Sequence, residues 1–223
     1  MNSVSDGQYT DILEHFIPSL SKFSENGIGE VFEILRRIDI SVLSANFPDI
    51  FDKELVRISH YQGRQFREFI QPVELTRLMC TLAELEPNAR VFNPFAGLAS
   101  FEVYLDQSHE YVGQELNPQT WALGALRLMA YNKHTNSEYT REDSILNWPD
   151  PSEKFDLIIS SPPFGIKISH HSIDSAYWGA SYEHFLLKNC ISKVRKCRDA
   201  VVFCGLLMDL LLSFLFKCIV GFY

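Results

Sequence analysis

The run Phe155-Asp156-Leu157-Ile158-Ile159-Ser160 has strand character, and it breaks at Ser161 into Pro162-Pro163-Phe164-Gly165. Adjacent prolines fix φ and remove two backbone donors, so the strand cannot continue and the corner presents its carbonyls in a stiff array. Ser161 Oγ and the Pro162 carbonyl are then acceptors suited to the hydrogens of an exocyclic amine. The lone pair of such an amine is delocalised into its ring, and fixed acceptors stabilise the charge that develops when it reacts. Phe164 adds a face on which an extruded base can stack.

The elements upstream carry chemistry at the same relative place, the end of a strand. Arg90-Val91-Phe92-Asn93 runs into Pro94-Phe95-Ala96-Gly97-Leu98-Ala99-Ser100, a small-residue turn that lets backbone approach a ligand closely. Glu110-Tyr111-Val112-Gly113-Gln114 is a second strand, and Glu115 follows it 22 positions after Asn93. A carboxylate about 20 residues beyond a glycine turn suits the hydroxyls of a ribose. Asn117 can cap the next helix and Pro118 suits its first turn, which predicts a helix over Gln119 to Asn132 burying Trp121, Ala125, Leu128 and Met129. A polar segment from Lys133 to Thr140 is expected to be a loop, and it leads into Arg141-Glu142-Asp143-Ser144. Ahead of the first strand, Phe69-Ile70-Gln71-Pro72 opens an amphipathic helix that starts at a proline.

In chain order, the aromatic-Pro helix, the glycine turn, the strand-end Glu, the Asp and Ser-Pro-Pro-Phe resemble the S-adenosylmethionine-dependent DNA amino-methyltransferases. In that family the catalytic motif is Asp, Asn or Ser, then Pro-Pro, then an aromatic, and here it stands as Ser161-Pro162-Pro163-Phe164. The glycine turn resembles the family's cofactor motif, with Asn93 where Asp is commonest and Ala99 where the last Gly is usual. Gly113-Gln114-Glu115-Leu116-Asn117-Pro118 is most similar to the modification subunits of type I restriction systems. The resemblance covers about residues 57 to 204 of the 223. It implies S-adenosylmethionine as cofactor, held by Phe69, Pro72, Asn93, Pro94, Phe95, Ala96, Gly97, Glu115, Leu116, Asp143 and Ser144, with Asp143 accepting from the adenine amine. It implies methylation of adenine N6 in DNA, with specificity and restriction subunits as partners. Serine in the first catalytic position is commoner among cytosine-N4 enzymes, so that amine stays open, as do RNA, a protein glutamine, and a cofactor-binding module without activity.

The implied fold is α/β: a doubly wound, Rossmann-like methyltransferase sheet with helices on both faces, ligands at the carboxyl ends of its strands, and a small helical region in front. The organisation expected is a helical region over 1–56, the methyltransferase domain over 57–204, and an apolar tail over 205–223. The helical region is expected to break at Ile17-Pro18, Gly27-Ile28-Gly29 and Asn46-Phe47-Pro48, with Val31, Ile34, Leu35 and Ile38 forming one apolar stripe. With a polar N-terminus that lacks a basic stretch, no signal peptide is expected, and the expected location is cytoplasmic. The tail resembles a membrane span in length, but Asp209 and Lys217 inside it argue against one. It stands where this fold normally adds its last strands, so a truncated sheet is expected.

A net charge of -8 excludes a chain that grips phosphates over its whole surface, and DNA contact is expected to depend on another subunit. The lysines and arginines near residues 57–77 and 188–198 read as solvated helix faces. Five cysteines without a Cys-x-x-Cys pair give neither a zinc framework nor a disulfide pattern, and no metal is expected.

Overall fold

A computed structural model describes residues 6–62, 71–150, 152–161, 189–190, 193 and 200–202. Three helices come first: α1 (Asp6–Leu20), α2 (Glu25–Leu35) and α3 (Ile40–Gln62). Then follow α4 (Val73–Leu82), β1 (Arg90–Asn93), a 3-10 turn over Glu102–Tyr104, β2 (Glu110–Gln114), α5 (Pro118–Ala130), β3 (Ser137–Thr140), β4 (Leu157–Ser160) and β5 (Ala200–Val202). The five strands make one sheet in the order β3-β2-β1-β4-β5, and every pairing is parallel. That order reverses its direction of growth between β1 and β4, the crevice where open α/β sheets bind their ligands.

Alternation along the strands splits the core into two layers. Val91, Leu157 and Ile159 face one side, where they pack with Tyr111, Phe101 and Met79 of α4. Phe92 and Ile158 face the other, where they pack with Phe155 and Cys190. Both faces are therefore covered, and the central strand β4 is buried along its whole length. α5 lies over β3, with Ala122, Ala125 and Leu128 packed around Trp121 and Tyr139. Its start is as the sequence predicts: Asn117 Oδ1 accepts from the amides of Gln119 at 3.0 Å and Thr120 at 3.1 Å, and Pro118 opens the first turn. Trp121, Ala125 and Leu128 are buried and Met129 is half-buried.

Two local expectations are corrected. The segment Lys133 to Thr140 is not a loop throughout, because Ser137–Thr140 forms edge strand β3 beside β2. An edge strand needs only one buried side chain, here Tyr139 at 5 % exposure, so a polar stretch with one tyrosine suffices. The N-terminal helices also break elsewhere. Pro18 and Pro48 lie inside α1 and α3, and the chain turns instead at residues 21–24. Gly27 and Gly29 sit in the first turns of α2, where Ser24 Oγ accepts from the Gly27 amide at 3.1 Å. A side-chain cap satisfies an amide that glycine alone would leave loose.

The helical region meets the sheet through α1 and α3. Ile12 of α1 is 2 % exposed within the cluster around Trp121. Asp52 of α3 forms a two-pronged ion pair with Arg127 of α5, Nε to Oδ1 at 2.7 Å and Nη2 to Oδ2 at 2.8 Å, and Tyr131 donates to the same carboxylate at 2.8 Å. α3 runs without interruption across residue 56. Of the predicted stripe, Val31, Ile34, Leu35 and Ile38 are all exposed, and α2 buries no residue. The apolar tail over 205–223 lies outside the described residues, and no helix among the described residues is long and apolar enough to cross a membrane.

One buried carboxyl sits away from the strand ends. Glu102 is 1 % exposed, and burial pushes its carboxyl up to about 8, against smaller lowering by Lys133 and the Ser137 hydroxyl. The native protein therefore holds this proton between about 4.5 and about 8, where the unfolded chain has released it. Stability from this group is complete below the unfolded value and is lost as pH rises through the folded one. Glu102→Gln is expected to flatten that decline by up to ~1.4 kcal/mol per pH unit, read by urea denaturation across pH 5 to 9. An unchanged slope would show the carboxyl to be ionised in the native state.

Candidate functional site at the strand ends

The polar residues singled out in the sequence collect at the carboxyl ends of β1 to β4. Register sets the level: Asn93 pairs with Gly113 of β2, and Phe92 pairs with Ile158 of β4. Glu115 and Ser161 therefore both lie two residues beyond the level of Asn93, on either side of β1. Strand spacing puts about 10 Å between them, near the span of a nucleoside. Asp143 leaves the third neighbour, three residues past Thr140, the partner of Gln114.

Glu115 is the hub of this end. Its Oε2 accepts from the Gly97 amide at 2.9 Å and its Oε1 from the Asn117 amide at 2.7 Å. One carboxylate thus ties the turn after β1 to the N-terminus of α5, whose dipole favours negative charge there. Its backbone is held as well, with the Glu115 amide donating to the Thr140 carbonyl at 3.0 Å and its carbonyl accepting from the Glu142 amide at 3.1 Å. Burial raises the carboxyl above its ordinary value, against lowering by the amides of Asn117, Gly97 and Leu116. Each oxygen retains lone-pair capacity for a further donor.

The turn itself is tightly braced. Asn93 is fully buried, with Oδ1 accepting from the Phe95 amide at 3.2 Å and Nδ2 donating to the Tyr111 hydroxyl at 3.1 Å. Its side chain is committed to the fold. The Ala96 amide donates to the Gln114 carbonyl at 2.9 Å, and Pro94 is buried beneath Ser144, whose Oγ donates to the Pro94 carbonyl. Phe95 is half-buried against the cluster of Phe92 and Phe155. Gly97 has φ 54° and Ala99 φ 52°, the left-handed region. For Ala99 that conformation costs roughly 1–2 kcal/mol, set against a methyl that is fully buried near Ile12 and Ala122.

The remaining candidates divide by exposure. Leu116 is 61 % exposed beside Glu115. Asp143 is half-buried, with Oδ1 accepting from the Ile145 amide at 2.9 Å. Pro72 occupies the position before α4, and its carbonyl accepts from the Thr76 amide at 3.0 Å. Ser161 is half-buried at the end of β4, and Ser160 Oγ beside it is buried without a partner among the described residues. Phe69, Pro162, Pro163 and Phe164 lie outside the described residues. A small cavity of about 10 Å³ between Ile12, Leu128 and Tyr139 has room for one water at most and is no part of this site.

Three bracing residues escape sequence reasoning. The Tyr139 hydroxyl donates to the Gly97 carbonyl at 2.5 Å, and its ring fits only because residue 124 is glycine, where a Cβ would stand 2.5 Å from that hydroxyl. Gln114 Nε2 donates to Glu142 Oε2 at 3.0 Å and to the Asn147 carbonyl at 2.9 Å, pinning the loop that carries Asp143. Arg127 Nη1 donates to Ser100 Oγ at 3.0 Å and lies 3.3 Å from the Leu98 carbonyl. Tyrosine at an alternating position before Asp143 was the one legible signal.

The comparisons decide the family. The profile of the N-6 DNA Methylase family matches residues 44–188. The chain belongs to that family. A curated relative, the type I restriction enzyme HindI methylase subunit of Haemophilus influenzae, is 24 % identical over 135 residues, 53 % of this chain and 29 % of the relative. The chain thus spans under a third of that protein's length. Among solved structures, a chain from a type I restriction-modification system superposes with TM-score 0.62 at 21 % identity, over 80 % of this chain and 41 % of that one. A modification subunit of a type I restriction enzyme from Vibrio vulnificus gives 0.54 at 18 %, over 73 % and 38 %. A class I S-adenosylmethionine-dependent methyltransferase from Listeria monocytogenes gives 0.59 at 13 %, over 75 % and 56 %. At these identities the superpositions establish the Rossmann-like fold.

Glu115→Gln keeps the shape of the hub but turns an amide donor toward one of two backbone donors. A loss of ~1–3 kcal/mol of stability is expected, measured as a lower urea midpoint with an unchanged slope. A midpoint equal to that of the parent would show that the two amides do not depend on the charge.

Proposed function

We propose that this chain is the methyl-transferring part of a DNA adenine-N6 methyltransferase that uses S-adenosylmethionine and works with specificity and restriction subunits in the cytoplasm. The observation that carries this reading is the convergence of the turn after β1, Glu115, Asp143 and Ser161 at one end of a parallel sheet, in a chain of the N-6 DNA methylase family. The residues present fit the cofactor. Glu115 has lone pairs for the ribose hydroxyls, Leu116 offers an exposed apolar side chain beside them, and Asp143 Oδ2 makes no hydrogen bond among the described residues. Pro94, Phe95, Ala96 and Gly97 form the backbone against which the amino-acid end would lie, with Asn93 and Ser144 fixing that backbone. Phe69 and Pro72 are assigned to the cofactor's other flank.

When bound, S-adenosylmethionine supplies a methyl group on a sulfonium. The chain's own residues do the rest by placement. Glu115 and Asp143 orient the cofactor by accepting hydrogen bonds. Ser161 Oγ and the Pro162 carbonyl accept the two hydrogens of the target amine, which directs its lone pair toward the methyl. Phe164 stacks on the flipped base, with Pro163 stiffening the corner. Orientation and prearranged acceptors are the main sources of rate in such a reaction.

The net charge of -8 supports a division of labour in which partner subunits supply most phosphate contacts. Serine at position 161 favours one second reading, methylation of cytosine N4. The deciding experiment incubates the full chain, alone and with specificity and restriction subunits of a type I system, with labelled S-adenosylmethionine and unmethylated DNA, and resolves the nucleosides by mass spectrometry. N6-methyladenine is the expected product. N4-methylcytosine would select the second reading, and cofactor binding without transfer to DNA would replace both with a binding module. Ser161→Ala is expected to lower kcat by about 10²-fold while leaving the KM for cofactor within about twofold. An unaltered kcat would remove Ser161 from the site.

A further inference from the structure

We propose that Asp52, on a helix outside the sheet, is a remote positioning residue that sets the conformation of the turn Pro94 to Ser100 through Arg127 and thereby tunes cofactor affinity. The effect on affinity rests on the function proposed above, and the effect on the turn does not. Arg127 is 6 % exposed, and its guanidinium faces two ways. Nε and Nη2 grip both oxygens of Asp52, while Nη1 reaches Ser100 Oγ and the Leu98 carbonyl. Leu98 and Ser100 flank Ala99, the residue held at φ 52°. Two positions earlier, Gly97 gives its amide to Glu115 and its carbonyl to the Tyr139 hydroxyl.

A left-handed alanine persists only where its surroundings over-determine it. On one side of the turn that role falls to Glu115 and Tyr139, and on the other to Arg127. A guanidinium buried this deeply needs its counter-charge, and the carboxylate comes from α3, 75 residues away in the chain. Removing the carboxylate leaves an uncompensated buried charge, which gains hydration by withdrawing from Leu98 and Ser100 toward water. The strained corner then loses its outer brace. Among the described residues Asp52 bonds Arg127 and Tyr131 and no candidate site residue, so its influence on the site passes through Arg127 and the turn. Linkage makes the coupling reciprocal: whatever disturbs α3 alters the turn, and a ligand that fixes the turn strengthens the attachment of α3.

The test compares the parent chain with Asp52→Asn, Asp52→Glu and Ser100→Ala by hydrogen exchange and by calorimetric titration with S-adenosylmethionine. In Asp52→Asn, amides of Ala96 to Ser100 are expected to exchange about tenfold faster and cofactor affinity to fall about tenfold. Amides of β4 serve as the internal reference, and a purely global loss of stability would accelerate them equally and overturn the proposal. Asp52→Glu restores the charge and is expected to recover most of both effects. Ser100→Ala removes the turn-side contact without stranding a charge, so it tests the same link should Asp52→Asn fail to fold; a threefold or smaller shift in the same direction is expected, on the order of one neutral hydrogen bond. Turn exchange unchanged in a folded variant overturns the proposal. Faster turn exchange in a chain whose parent binds no S-adenosylmethionine supports the coupling and overturns the proposed function instead.

Discussion

A single buried carboxylate, that of Glu115, organises the end of the sheet. Two backbone amides from different segments converge on it, one from the left-handed turn after β1 and one from the start of α5. Burial alone would drive this carboxyl toward its neutral form, and it does raise it. The amides and the N-terminal end of a helix work against that tendency, since both favour the ionised acceptor. Negative charge is thereby held where a parallel sheet gathers its strand ends, and lone-pair capacity is left over for a ligand. Remove that charge, and the turn and the helix would have no common anchor.

Around the hub, backbone and side-chain groups share the bracing. Ala96 donates to the end of β2, Glu115 donates to the end of β3, and Glu142 returns a bond to Glu115. The side chains that join in, Asn93, Gln114, Tyr139 and Ser144, are all buried and direct their hydrogen bonds at backbone groups, at the Tyr111 hydroxyl and at the Glu142 carboxylate. A network of this kind is stiff because each member would be left unpaired by movement of the next. Stiffness suits a reaction whose rate comes from alignment. Asn93 illustrates the division between bracing and contact: it stands at a cofactor motif, yet both of its polar groups are spent inside the fold.

Legibility in the sequence followed the range of the interactions involved. β1, β2, β4 and the cap of α5 were readable because short apolar runs and an Asn-Pro pair act within a few residues of themselves. β3 was not, because an edge strand beside β2 can be polar at three of four positions and still pair. The prolines inside α1 and α3 were read as breaks, but each removes only one amide, and the helices run through. Order along the chain singles out Glu115 and Ser161 at strand ends and Asp143 after a segment expected to be a loop, which the structure shows to end in β3. The Asp52–Arg127 pair had no local signature at all, since neither residue is unusual in its own helix.

That pair also explains how a helical region with much apolar surface uncovered can belong mechanically to the sheet. α2 buries nothing, and Val31, Phe32 and Ile34 are at least half exposed, so α2 adds no apolar anchor of its own. Attachment falls to α1 and α3: Ile12 and Phe16 pack in the apolar cluster at α5, His15 meets the Trp121 ring edge-on and lies 3.3 Å from Arg141, and Asp52 grips Arg127. Two of these contacts meet residues that also touch the turn after β1: Ile12 lies in one cluster with Ala96 and Ala99, and Arg127 bonds Ser100. An apolar contact resists separation but tolerates sliding, whereas a two-pronged ion pair fixes an angle. The helices are therefore joined to the sheet beside a left-handed turn, and the ion pair adds a fixed angle to the apolar contacts.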